Sequence, residues 1–180
     1  MSNNIEDKKG NYEVVRNILS SRYQEVNGYD FYRYIFPDNQ NVGELSGNYS
    51  KPNAIYLYRD EEEDPDRTYR RRIMLNDTWE DDYMNYVECN HKTLCSGLAY
   101  RDKKNRLENA QQMNALVFDL DSVGENELEN LLLRMSKKPG LRTLPEPTFI
   151  VMSGTGLHIY YVFDRPVALY PNIKLQMKAL

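Results

Sequence analysis

The sequence is poor in cysteine and histidine and contains no long apolar run. Two cysteines, Cys89 and Cys95, are too few for a disulfide framework. A reducing, cytoplasmic setting is the simpler expectation. No stretch approaches the roughly 18 apolar residues of a membrane-spanning helix, so no membrane partner is expected. Met1 to Gly10 is polar and charged, unlike a secretory signal. Basic excess is lacking too: 23 Lys and Arg against 27 Asp and Glu leave a net charge of −4. That excludes a generically basic nucleic-acid coat but not a local basic groove.

What is present suffices for a core. With 41% hydrophobic and 28% charged residues over 180 positions, wholesale disorder is excluded. The length suits one domain or one and a half. Fifteen tyrosines suggest a base-stacking surface, but asparagine is also abundant and both have AT-rich codons. The tyrosine count therefore carries no weight alone.

Residues 1–10 read as a frayed terminus. Val14, Val15, Ile18 and Leu19 fall at helical spacing and predict a short helix over Tyr12 to Tyr23. Gly28 to Phe36, aromatic and bounded by Gly28 and Pro37, reads as a strand. Ala54 to Tyr58 and Thr68 to Leu75 are further strand candidates. Between them Asp60 to Asp66 holds six acids, read as a solvated loop, with Arg70, Arg71 and Arg72 following. Residues 76–112 are the least legible, although Asn105 to Gln112 suits a short helix.

Asn114 to Asp121 (NALVFDLD) is the clearest element. It is apolar on both faces, which marks a central strand. It ends in Asp119 and Asp121, which share a face by the two-residue period. Leu128, Leu131, Leu132 and Met135 then form a helical stripe within Glu125 to Ser136. Asp121 or Ser122 suits its cap, and Lys137 to Gly140 its stop. Thr148 to Met152 and Leu157 to Phe163 read as strands around a Ser153-Gly-Thr-Gly156 turn. Pro171 opens a last amphipathic stretch.

From residue 114 onward the order is β-α-β-β-α. It matches the split β-α-β-β-α-β plan without its final strand. In that plan the first and third strands lie side by side and antiparallel. Asp119 and Asp121 at the end of one then meet His158 at the start of the other. Paired carboxylates suit one or two Mg²⁺ or Mn²⁺ ions together with substrate phosphates. Ser153, Gly154, Thr155 and Gly156 offer backbone N–H groups, and His158 a further donor, to a phosphate. Such a set describes nucleotidyl transfer. Each motif taken singly has a plainer meaning: a helix cap, a hairpin turn, a structural histidine. Their convergence carries the functional reading.

VFDLD (117–121) resembles the first motif of the archaeo-eukaryotic primase superfamily, and SGTGLHIYYVF (153–163) resembles its second. The glycine-containing version is similar to primase-polymerases of plasmids, phages and integrative elements, and PEPTFIV before it fits the same pattern. The resemblance covers roughly residues 95–170. It implies an α+β protein with an N-terminal α/β unit (1–110) packed on an incomplete RRM-like catalytic unit (111–180). It implies template-directed synthesis from nucleoside triphosphates on single-stranded or primed DNA, with a helicase or C-terminal domain as a further partner. Asp119 and Asp121 would hold the catalytic metals. His158, with Ser153 and the glycine turn, would contact the triphosphate. The family's third acid would fall beyond Leu180, so the chain reads as a fragment or a shortened relative, with activity of this piece in doubt.

Two other readings stay open: a non-catalytic nucleic-acid-binding replication accessory, and a metal-dependent nuclease built on the same acids. Cys89, His91 and Cys95 have zinc-like spacing, but structural zinc wants four ligands and His158 is the only other histidine, so zinc is not expected. Arg101, Lys103, Lys104 and Arg106 suit either a template groove or a solvated loop.

Overall fold

A computed structural model describes residues 3–37, 53–58, 70–74, 92–100, 106–136, 143–154 and 156–177. The protein is of mixed α+β class. In chain order its described elements are α1 (Asn3–Arg22), α2 (Gly28–Ile35), β1 (Asn53–Tyr58), β2 (Arg70–Met74), β3 (Lys92–Tyr100), β4 (Ala110–Leu120), α3 (Glu125–Met135), β5 (Phe149–Met152), β6 (Leu157–Ala168) and α4 (Pro171–Met177). A 3-10 turn, Leu107–Asn109, precedes β4. No described helix is long and apolar enough to cross a membrane.

Contacts group the chain into two units that are discontinuous in sequence. The first joins Met1–Val26 with Val117–Tyr161, and the second joins Asn27–Leu116 with Val162–Leu180.

In the first unit the strand order is β4-β6-β5. β5 and β6 form an antiparallel hairpin in which Val151 faces His158 and Ile150 faces Ile159. Val15 and Leu19 of α1 and Leu128, Leu132 and Met135 of α3 make a core with Leu157 and Ile159, and Leu120, Ile150 and Met152 pack against it. Each fully buried aliphatic side chain stabilises by about 1.5–3 kcal/mol. These strand residues share one face of the pleat. Asp119, Val151 and His158 therefore belong to the other face.

The apolar stripe of α3 lies where the periodicity places it, with Leu128, Leu132 and Met135 buried. Its cap does not. Gly124 is the N-cap, and its N–H donates to the Glu127 carboxylate at 3.1 Å. Neither Asp121 nor Ser122 caps the helix. Asn11 of α1 donates from Nδ2 to the Val123 carbonyl at 3.2 Å, tying the two helices together just before α3. The predicted stop at Lys137 to Gly140 lies outside the described residues, but the helix ends at Met135.

The N-terminal helix is longer than expected. α1 begins at Asn3, so residues 3–10 are helical rather than frayed. An apolar stripe marks only turns that carry apolar residues, and a polar turn leaves no such signal. Val14, counted in the stripe, is exposed; Val15, Ile18 and Leu19 carry the packing.

In the second unit the strand order is β2-β1-β3-β4-β6. The pairs β1/β2, β1/β3 and β3/β4 are antiparallel. Tyr100, Ala110 and Leu169 form a small core with Leu98, Leu107, Met113 and Ile173 around it. Gly97 sits where a Cβ would fall 2.2 Å from the Ala115 carbonyl oxygen, so only glycine allows β3 this close to β4.

Two local expectations are corrected here. Gly28 to Phe36 is not a strand but helix α2. The Asn27 side chain caps it by accepting from the Asp30 N–H at 2.8 Å. Phe31, Tyr32 and Ile35 are buried at helical spacing, so cap and stripe override the strand preference of the aromatics. Of the short helix expected over Asn105 to Gln112, the described residues 106–112 form only the 3-10 turn Leu107–Asn109, and β4 already begins at Ala110.

β4 is central, with β3 and β6 as neighbours. It is not buried on both faces, however: Leu116, Val117 and Phe118 are exposed. Leu120 packs on the helices of the first unit, whereas Phe118, one pleat back, meets Tyr161 edge-on at 5.9 Å between ring centroids.

Candidate functional site

The site forms where β4 ends and β6 begins, wholly within the first unit. Leu120 goes to the core, so its neighbour Asp119 goes to the opposite face. Leu157 and Ile159 go to the core, so His158 does likewise. Antiparallel pairing of the two strands then places the His158 Nε2 atom 3.2 Å from the Asp119 Oδ1 atom. The imidazole is mostly enclosed, at 18% side-chain exposure, while the carboxylate stands 66% exposed. Solvent screens a pair this open, so its worth lies in orienting the ring rather than in stability. One ring nitrogen of His158, Nε2, is held by Asp119.

Asp121 follows one residue past the strand and is exposed. Ser122, next in the chain, adopts a left-handed backbone with φ of 55°. A non-glycine residue there costs on the order of 1 kcal/mol, and such strain concentrates at functional positions. No motif in the sequence marked Ser122 for this conformation; it turns the chain sharply just after the second acid.

The glycine turn is pressed against the same place. Ser153 N–H donates to the Gly156 carbonyl at 3.0 Å, and Gly154 takes φ of 97°. Glycine is the residue that such a turn favours. A Cβ on Gly156 would lie 2.2 Å from the Leu120 carbonyl oxygen and 3.3 Å from the Asp121 Cα. Gly156 is thus required for contact with the backbone that carries the two acids. The Ser153 N–H is used inside the turn. Thr155 lies outside the described residues.

Asp119, Asp121, Gly156 and His158 are therefore brought to one end of the sheet. The donor chemistry there fits a hard divalent cation: two carboxylates, one of them sharing an oxygen with His158, complemented by phosphate oxygens of a bound substrate. Among the described residues no group of three or more His, Cys, Asp and Glu side chains gathers as a metal centre. Tyr161, on the core face of β6 with Leu157 and Ile159, donates to the Pro145 carbonyl at 3.0 Å, and burial pushes its phenol above the ordinary value.

Other candidates are not assembled here. Cys89, His91, Arg101, Lys103, Lys104 and the acidic stretch 60–66 lie outside the described residues. Cys95 is placed in β3 by its backbone. Arg106 is exposed and pairs with Glu108 at 3.5 Å. The Phe118–Tyr161 ring contact had no counterpart in the sequence reading, because it joins strands 43 positions apart.

No protein-family model, curated protein or solved structure matches the chain.

Proposed function

We propose that this chain carries the nucleotidyl-transfer site of a primase-polymerase of the archaeo-eukaryotic primase type, acting on a DNA template with nucleoside triphosphates. The observation that carries the reading is the 3.2 Å approach of His158 to Asp119, two motif residues that sequence separates by 39 positions. The order β4-α3-β5-β6-α4, with β6 between β4 and β5, supports an RRM-like core. The edge of β4 that the last strand of that plan would take is paired, over Ala110 to Met113, with β3. An N-terminal strand would then substitute for the C-terminal one.

Asp119 and Asp121 would hold Mg²⁺ or Mn²⁺. When bound, the ion neutralises charge developing on the transferring phosphoryl group. His158, steadied by Asp119 through Nε2, would lie beside a phosphate of the incoming nucleotide. Gly156 keeps that strand end against the acids. In the reaction the primer 3′-hydroxyl loses its proton to solvent, its oxygen bonds to the α-phosphorus, the bond from that phosphorus to the α–β bridging oxygen breaks, and pyrophosphate leaves with the electron pair.

The test is calorimetric titration of the chain with a nucleoside triphosphate and Mn²⁺. Asp119→Asn combined with Asp121→Asn should weaken metal-dependent binding by at least about tenfold, equivalent to 1.4 kcal/mol. Unchanged binding in the double variant rejects the proposal. Nicking of DNA with Mn²⁺ and no nucleotide would reassign the acids to phosphodiester hydrolysis.

A further inference from the structure

Between the end of β4 and the start of α3 the chain turns over within two residues. Leu120, the last residue of β4, packs on the core that α1 and α3 share. Strand alternation would send Asp121 and Val123 to the opposite face. Val123 instead lies in that same core, 7% exposed, with Val15 and Leu19 of α1 and Leu128 of α3. Asp121 and Ser122, between these two anchors, are exposed. The reversal of facing is made at Ser122, whose φ of 55° is left-handed.

A left-handed serine is uphill by about fivefold as a two-state equilibrium, so its neighbours must hold it there. On one side the backbone is backed by Gly156, where a Cβ would fall 3.3 Å from the Asp121 Cα. On the other side Val123 is fixed at two points. Its side chain is in the core, and its carbonyl accepts from the Asn11 Nδ2 atom of α1 at 3.2 Å, across 112 positions of sequence. Gly124, next in the chain, is fixed as the N-cap of α3. A valine held only by its side chain can still rotate its peptide planes, and a strained neighbour would relax through that freedom. A valine whose carbonyl is also bound cannot. The plainer role of Asn11 is a tie between two helices. Such a tie adds to stability without regard to the backbone of Ser122.

We infer that Asn11 is a positioning residue for Asp121. By holding the Val123 carbonyl it keeps Ser122 left-handed, and the turn so fixed sets Asp121 at the end of β4, where Asp119 and His158 stand. Helix α1 thereby belongs to the framework of the site. What Asp121 holds there, a divalent cation with a triphosphate, rests on the proposed catalytic reading, whereas the clamp on the turn does not.

The experiment is a double-mutant cycle of Asn11→Ala and Ser122→Gly in the full 180-residue chain, read by urea unfolding and by calorimetric titration with Mn²⁺ and a nucleoside triphosphate. Alanine is favoured inside a helix, so α1 should keep its form. Glycine takes the left-handed backbone without strain. Ser122→Gly should therefore shift the unfolding equilibrium toward the folded state about fivefold more in the native background than beside Asn11→Ala, where Ser122 has already relaxed. In the titration Asn11→Ala should weaken binding about fivefold, because only that share of chains keeps the competent turn. Ser122→Gly alone should stay within about twofold, and the double variant should recover to about twofold of native, which a tie between helices would not produce. Additive effects in the unfolding cycle overturn the assignment. So does native-strength binding by Asn11→Ala when the native chain binds. A native chain that binds no triphosphate defeats the catalytic reading, and the unfolding cycle alone then decides the clamp. Should Asn11→Ala fail to fold, Asn11→Asp, of the same size and without the donor, takes its place in the same cycle.

Discussion

Replacing Gly156 by alanine puts one methyl group into the contact that joins the turn to the end of β4. The added Cβ would stand 2.2 Å from the Leu120 carbonyl oxygen, against backbone on the Asp121 side as well. A carbon–oxygen contact needs more than about 3 Å, so the strand end must retreat by about 1 Å. The obstacle is main chain, which cannot rotate away as a side chain does. Overpacking costs about 1–3 kcal/mol, and the upper end applies here. For a chain of this length each kcal/mol lowers Tm by about 2–4 °C, which predicts a fall of about 6–12 °C for Gly156→Ala. Gly154→Ala is the comparison. Its φ of 97° strains any side chain, but nothing lies within 4 Å of the new Cβ. Its cost should be nearer 1–2 kcal/mol. Thermal unfolding followed by circular dichroism measures both. Because the retreat moves Leu120 and Asp121, Mn²⁺-dependent nucleotide binding should also drop in Gly156→Ala well below its Tm. An unchanged Tm for Gly156→Ala, or a greater loss for Gly154→Ala, refutes the close-packing argument.

Asn114 is buried, donates from Nδ2 to the Ile35 carbonyl at 3.0 Å, and leaves Oδ1 without a hydrogen-bond partner. Asn114→Asp would set a desolvated carboxylate against that carbonyl, costing about 3 kcal/mol or more at pH 7. Burial raises the folded-state value of such a carboxyl, so the penalty should vanish as pH falls below about 4; equal destabilisation at pH 4 and pH 7 contradicts this. Tyr161→Phe removes the bond to the Pro145 carbonyl, worth about 1 kcal/mol at neutral pH. Since burial raises the Tyr161 phenol, its stabilisation is fully present below about pH 10 and is lost as pH climbs through the higher folded-state value. Urea unfolding at pH 7 and in strong alkali should show the native–variant difference shrinking, and a constant difference counts against the assignment.

The second half of the chain was far more legible than the first. Leu128, Leu132 and Met135 repeat with the helix period, and Leu157 and Ile159 with the strand period, and each stripe is buried where its period places it. Gly28 to Phe36 went the other way, because tyrosine and phenylalanine favour strands in general while Asn27 and the 31, 32, 35 spacing favour this particular helix. Sequence pattern also named Gly156 without its reason. The glycine looked like a phosphate-binding element, and its closest measurable constraint is the Leu120 carbonyl.

From sequence alone came the strand ending in two acids, the helix after it, the hairpin with its glycine turn and the alternation that sets His158 opposite Leu157. All of these are local, governed by side-chain period and turn chemistry over a few residues. Only tertiary structure decided that β6 lies beside β4 in the register that brings the imidazole to Asp119, and that β3 takes the other edge of β4. Register between distant strands is set by which faces find a common core and how closely backbones can approach, and those conditions are met across tens of residues rather than within any one segment.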